Sequence, residues 1–356
     1  MSINNTYKYS KRPNDAYKID TDNVSPNQIT GYQINGVDVG TLYVNVQGNE
    51  VDVNFTSPFK YNNAALNTLL ASKITLPTVE LSSTATIGES NYNNNPYKLY
   101  IFNGGVTGTF KIKSDNHIES VVANILCVGG GGQGGSDGGY WGSGGGGGGT
   151  VQFGQVTIEC NTEYQISSGG SNQNSTIKIG QREIIKSHYG GRGTDNKGTG
   201  TTGGSGGGGS GQGGGSGKGN GIGINNDLRY DDLVAYKNVG GNGLGNAAGP
   251  YSSRGGGGGG GAGTRGANAF NWSGGDGGAG IKWVINDKYY GGGGAGQGVN
   301  DYANQSNGGI GGGGDGGKAG AANTGGGGGA TQGGEGKAGG SGIIIIAVLE
   351  NLIKLK

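Results

Sequence analysis

Gly339-Gly340-Ser341-Gly342-Ile343-Ile344-Ile345-Ile346-Ala347-Val348-Leu349 joins a glycine tract to an unbroken apolar run, and that junction decides the fold. Four isoleucines in a row left in water are an aggregation hazard, so the tract before them cannot be a loose tether. Folded structure has to cover the run. It is far shorter than the roughly 20 apolar residues that a membrane-spanning helix needs, and its β-branched content reads as a buried strand.

The same junction recurs along the chain. Runs rich in β-branched residues at 97–102, 107–112, 118–128, 151–159, 164–167, 176–179, 183–187, 281–285 and 343–349 read as strands. From residue 118 onward each borders a glycine tract. Asn286-Asp287 adds a hairpin signal between Trp283-Val284-Ile285 and Lys288-Tyr289-Tyr290. Glycine-rich sequence ordinarily forms flexible linkers. Linkers join domains, however, whereas here at least six tracts alternate with short strands that would otherwise have nothing to pack on.

An ordered conformation open to bare glycine is the extended helix of three residues per turn, with its backbone groups pointing outward. Without Cβ atoms such helices approach closely enough to bond N–H to O=C between neighbours. The sequence carries the period: Gln332, Glu335, Ala338 and Ser341 recur every third residue, as do Asp315 and Lys318. These ridges are expected to face outward, and the uninterrupted glycine of residues 255–261 to sit among other helices. Ser205, Ser210, Gln212, Ser216, Lys218 and Asn220 share no single phase, which predicts a peripheral helix or loop there. Collagen is excluded, because Pro250 is the only proline after Gly129. Fixing a residue costs about 1–2 kcal/mol and a net hydrogen bond contributes about 0.5–1.5 kcal/mol. The tracts therefore need apolar burial as well, expected from Val122, Ile125, Leu126, Ile158, Ile166, Trp283 and residues 343–348.

Of the 91 glycines in 356 residues, eight precede Gly129, so the chain has two compositionally different parts. Residues 1–30 are polar, without period, and read as an extended attachment arm. Residues 31–90 read as a small β module. Tyr32 and Ile34 alternate with polar residues before the Asn35-Gly36 turn, Val44, Val46, Val51, Val53 and Phe55 alternate around Gly48-Asn49, and a short helix is expected over 62–72. The polar run 82–95 after Pro77 predicts a boundary loop. Residues 91–356 form the glycine-rich domain.

A formal charge of +1 leaves no polybasic footprint for nucleic acid or anionic membrane. Cys127 and Cys160 are too few for a disulfide scaffold and have no metal-ligand companions; buried thiols are expected, with a single bridge as the alternative. Residues 1–14 lack the apolar stretch of a secretory signal, which predicts synthesis in a cytosol without classical export. No cofactor, metal or catalytic residue is expected. Gly129 to Gly134 satisfies G-x-G-x-x-G after a strand, but the following glycines cannot form the helix that would face a pyrophosphate. Gly312, Gly317 and Lys318 resemble a phosphate loop that has Ala319 where Ser or Thr belongs. His117 and His188 lack nucleophile partners in any recognisable frame, and a single Arg254-Gly255-Gly256 is no RNA-binding repeat.

Taken together, Ile125-Leu126-Cys127-Val128 entering a tract, residues 145–151 returning to a strand, Tyr164-Gln165-Ile166-Ser167, Tyr289-Tyr290-Gly291-Gly292 and the closing Gly339 to Ile346 resemble the glycine-rich domains of phage adhesins, tail fibres and surface proteins of large viruses. The resemblance covers about residues 97–349. It departs at Ala347-Val348, where the family's closing strand often carries an arginine-aromatic pair. It implies a mainly β fold, a β-sandwich-like framework interleaved with a bundle of polyglycine II helices, whose end loops form a recognition surface. Aromatics supply contact area at low entropic cost, so the candidate contacts are Tyr140, Trp141, Tyr251, Arg254, Phe270, Trp272, Tyr289, Tyr290 and Tyr302. The segment Tyr32 to Tyr43 is similar to one in other virion proteins, making Tyr32, Ile34, Asn35, Gly36, Asp38, Leu42 and Tyr43 candidates for virion docking.

The expected function is that of a virion structural protein, made in the host cytoplasm, displayed on the particle and used for host attachment. Its expected partners are other virion proteins of capsid or fibre and a host surface glycan or protein. A homo-oligomer fits the same reading, while nucleic acid and membrane insertion do not. A minor capsid or cement protein without receptor binding and an ice-binding polyglycine protein are the alternatives.

Overall fold

A computed structural model describes residues 28–30, 33–34, 37–38, 41–47, 50–56, 76–82, 84–114, 118–137, 142–195, 198–211, 224–225, 233–243, 254–299 and 306–353. The chain divides into two compact units, Met1–Ile74 and Thr75–Lys356. In the first, β1 (Gln28–Thr30), β4 (Thr41–Gln47) and β5 (Glu50–Thr56) form an antiparallel sheet in the order β1-β4-β5, and β2 (Gln33–Ile34) pairs with β3 (Val37–Asp38). The two predicted hairpins are these pairs. The helix predicted over 62–72 falls outside the described residues.

The second unit carries β6 (Thr78–Leu81), β7 (Thr86–Tyr92), β8 (Asn95–Asn103), β9 (Thr107–Lys113), β10 (Ser120–Val128), β11 (Ser136–Asp137) and β12 (Val151–Glu159). There follow β13 (Tyr164–Ser167), β14 (Ser175–Ile179), β15 (Arg182–Ser187), β16 (Ile224–Asn225), β17 (Val234–Tyr236), β18 (Ile281–Trp283), β19 (Lys288–Tyr290), β20 (Thr331–Gln332) and β21 (Ile343–Leu349). The fold is mainly β, and no α-helix occurs among the described residues. Two six-stranded sheets dominate, in the orders β17-β12-β10-β21-β8-β7 and β16-β15-β14-β13-β9-β6, and every neighbouring pair in them is antiparallel.

The sheets face each other across one apolar core, to which Phe102, Ile125, Ile344 and Ile346 come from one sheet and Phe110, Ile166, Ile177 and Ile185 from the other. A second core lies on the opposite face of the first sheet, where Leu99, Leu126, Ile343 and Ile345 pack with Trp283, Ile285 and Tyr290 of the β18–β19 hairpin. That arrangement explains the isoleucine run. β21 sits in mid-sheet between β10 and β8 and is buried on both faces, so its side chains have no polar alternation to show. Fully burying each of these large side chains contributes roughly 1.5–3 kcal/mol.

Two expectations are corrected. β7 occupies half of the 82–95 stretch read as loop; it is an edge strand and exposes residues on both faces, which removes the apolar signal. Val122 is 44% exposed, because on β10 Val121 and Ala123 point into the sandwich core while Val122 faces the other way, beyond the reach of the hairpin.

The glycine tracts leave one end of this sandwich. Val128 pairs with both Val151 and Ile343, so three tracts start side by side. Residues 144–149 show how they are held. Their N–H groups donate in rotation to three neighbours: Gly144 and Gly147 to Thr194 and Gly191, Gly145 and Gly148 to Gly257 and Gly260, Gly146 and Gly149 to Gly328 and Gly325, all at 2.7–3.0 Å. Their carbonyls accept at 2.8 Å from three other tracts, through Gly132 and Gly135, Ser205 and Gly208, and Gly294. A single segment thus lies among six, with a bonding period of three.

The same rotation recurs in residues 256–260, which donate to Gln297, Gly209, Ala267, Gly294 and Gly206 in turn. At each of residues 144–149 an added Cβ would fall within 3.0 Å of a neighbour's backbone oxygen, so glycine is required there by packing. The segment 205–210, expected at the periphery or in a loop, is instead interior: Ser205 and Ser210 are fully buried. Their small hydroxyls fit a backbone-lined channel, which is why no outward phase marks them in the sequence.

Candidate functional site

Following the bundle bonds away from the sandwich leads to an opposite end, where the tracts turn. Gly211 N–H donates to Gly142 O at 2.9 Å, Ala269 N–H to Asn242 O at 3.0 Å, and Gln297 N–H to Ser143 O at 2.8 Å. The connecting segments 138–141, 244–253 and 300–305 carry Tyr140, Trp141, Tyr251 and Tyr302 and lie outside the described residues. Their bases are described. Asp137, buried at the start of 138–141, accepts a hydrogen bond on its carboxylate from Gly142 N–H, and a carboxylate bonded to backbone N–H ties the two ends of that loop together.

Phe270 and Trp272 sit on a tight turn between tracts 266–269 and 274–280. Phe270 and Ser273 exchange both backbone bonds, at 3.3 and 3.0 Å, and Asn271 takes a φ of 53°, a conformation that asparagine tolerates better than most residues. Phe270 is 73% exposed, a large apolar side chain in water at the tip of a rigid support. Trp272 is half-buried, with its carbonyl accepting from Val299 N–H at 3.1 Å. Arg254, also half-buried, opens the tract that runs through residues 255–261.

Tyr289 and Tyr290 lie elsewhere. They belong to β19, on the hairpin that packs against the sandwich, where successive side chains point to opposite faces. Tyr289 is 41% exposed and stacks under Lys282 Nζ at 6.0 Å. Tyr290 is 3% exposed, lies in the second core and accepts a hydrogen bond from Asn286 Nδ2 at 2.8 Å. It is a packing residue and leaves the set of surface contacts. Of the docking candidates, Ile34, Asp38, Leu42 and Tyr43 fall in β2, β3 and β4, while Tyr32, Asn35 and Gly36 are outside the described residues.

The turning end also holds an open cleft of about 590 Å³ lined by Gln133, Ser136, Asp137, Arg192, Asp195 and the stretch 333–336, which includes Glu335. None of these is a candidate contact in the sequence, although Glu335 is placed on an outward ridge. Each is the first side chain after a glycine tract or lies within a few residues of one, and that position is the one signal that could have marked them.

Other reactive side chains are sequestered or dispersed. Both cysteines are free; burial pushes the Cys127 thiol up to about 12, which keeps it protonated and a poor nucleophile at neutral pH. Burial also holds His188 below its ordinary value. Among the described residues no group of three His, Cys, Asp or Glu could hold a metal ion, and no helix is long and apolar enough to cross a membrane.

The model of a known family, described as glycine-rich domain, matches residues 105–349, from the turn before β9 to the last residue of β21. Neither the curated proteins nor the solved structures give a match. The family match covers well over half of the sequence and takes in all of the glycine bundle and most of the sandwich. The chain belongs to the glycine-rich domain family.

Proposed function

We propose that this chain is a virion structural protein of the fibre or adhesin kind, attached through its amino-terminal region and presenting the glycine-rich domain to the host surface. The observation that carries the reading is the exposed Phe270, at 73%, on a turn fixed by reciprocal backbone bonds at the bundle end remote from the sandwich. A bundle bonded backbone to backbone is a polyglycine II arrangement in this reading. It holds short turns at one end of the glycine-rich domain at little cost in flexibility on binding. Aromatic side chains on such turns suit recognition of a glycan or protein.

The test is location and competition. Cryo-electron microscopy of particles carrying tagged chain is expected to show it projecting from the surface, and the purified full chain to block adsorption of particles to host cells. Chain found on the particle but without effect on adsorption would turn the reading to a minor capsid or cement role. Absence from the particle would end both.

A further inference from the structure

The cleft beside the aromatic end has the chemistry of a sugar site. Its walls come from three stretches of sequence, 133–137, 192–195 and 333–336, and each wall is held by bonds to another. The Arg192 guanidinium donates through Nη2 to both oxygens of Asp195 at 3.0 Å. Asp195 also accepts from Ser136 N–H at 2.9 Å. Gln133 Nε2 donates to Gly336 O at 2.9 Å, and the Ser136 hydroxyl donates to Gly334 O. The polar side chains are therefore set in place before any ligand arrives, which lowers the entropic cost of binding.

Groups of both kinds remain unspent. Arg192 keeps its Nε and Nη1 donors, Gln133 keeps Oε1, and the exposed Glu335 carboxylate has no partner among the described residues. No apolar side chain lines the cleft. A sugar hydroxyl both donates and accepts, and adjacent hydroxyls match planar side chains such as guanidinium, carboxylate and amide. The side chains of a lysine- or arginine-rich peptide only donate, and their charge would face the unspent side of Arg192. Three carboxylates against one guanidinium repel sialylated, uronic or sulfated sugars.

Resting on the attachment reading above, we propose that this cleft binds one neutral or amino sugar unit of a surface glycan. A shallow polar site of this size is expected to bind a single unit with a dissociation constant on the order of 1 mM, and to gain affinity when the same glycan also meets the aromatic loops.

The test uses the full chain in saturation-transfer NMR with neutral, amino and acidic monosaccharides, beside the Glu335→Gln and Arg192→Ala variants. The Glu335 side chain makes no hydrogen bond or ion pair among the described residues, so its variant separates binding from folding; thermal unfolding checks Arg192→Ala. Neutral or amino sugars should bind, at least tenfold more weakly in Arg192→Ala and several-fold more weakly in Glu335→Gln. No sugar binding up to roughly ten times the expected constant, preference for acidic sugars, preference for a lysine-rich peptide, or binding unchanged in both folded variants would overturn the proposal. Adsorption blocking separates the two readings. Equal blocking by wild type and Glu335→Gln sinks the cleft and leaves attachment standing, whereas sugar binding without any blocking sinks attachment and leaves the cleft.

Discussion

Gly146→Ala puts the largest stress on the architecture for the smallest change in composition. Gly146 donates to Gly328 O at 2.9 Å and accepts from Gly294 N–H at 2.8 Å, and a Cβ at this position would lie within 3.0 Å of Gly132 O and of the Gln133 carbonyl, all backbone atoms. No side chain can swing away. The tract 129–135 has to move outward, and the first bond lost is Gly132 N–H to Gly147 O, now 2.8 Å. Losing two or three such bonds, at about 0.5–1.5 kcal/mol each and more where a buried group is left unpaired, predicts a loss of roughly 3–6 kcal/mol. That is a large part of the 5–15 kcal/mol typical of a domain. Gly170→Ala is the matched control: its Cβ would meet only the side chain of Gln173, at 3.1 Å to Oε1, and is expected to cost about 1 kcal/mol or less. Denaturant unfolding followed by tryptophan fluorescence measures both. Equal midpoints for Gly146→Ala and Gly170→Ala would refute the claim that backbone contact makes these glycines obligatory.

Three further outcomes are expected. Gln297 is fully buried and neither side-chain amide atom has a hydrogen-bond partner, so Gln297→Met should raise stability by about 1–3 kcal/mol; a lowered melting temperature would show that the amide is solvated and useful. Burial lifts Cys127 from 9.0 to about 12, so between those values the unfolded chain binds fewer protons than the native one and stability falls as pH rises, by on the order of 4 kcal/mol in full. Cys127→Ala should flatten that alkaline limb in pH-dependent unfolding, and an unchanged slope would discount the thiol. Finally, the exposed side chains of Gln332, Glu335 and Lys337 are polar or charged rather than a flat array of threonine or alanine. Thermal hysteresis is therefore expected to be absent, and its detection would revive an ice-binding role.

What could be read from the sequence follows from where side chains report their surroundings. Strands such as Val151–Glu159, Tyr164–Ser167 and Ile343–Leu349 declare themselves because β-branched runs have one strong preference. The exposed edge strand Thr86–Tyr92 does not, since nothing packs on much of it. Glycine tracts carry almost no local signal. Their order was legible only by elimination, from strands that need cover, and their neighbours were not legible at all. Ser205 and Ser210 break the period on paper yet sit inside the bundle, because position there is set by backbone bonds rather than by side-chain phase. Tyr290 looks like its exposed neighbour Tyr289 until the strand pleat turns it inward. The cleft escaped for a topological reason: Gln133, Arg192 and Glu335 are far apart in sequence and meet only through the register of the bundle.

Amide hydrogen exchange, resolved by residue, bears most directly on whether the glycine-rich half is solid. Residues 144–149 and 256–260 donate their N–H groups to other tracts, and are expected to exchange as slowly as strand Ser120–Val128, opening only with the unit as a whole. Exchange of these amides at the rate of a free glycine peptide, while the strand stays protected, would mean that the tracts are slack and that nothing rigid carries the loops at their far end.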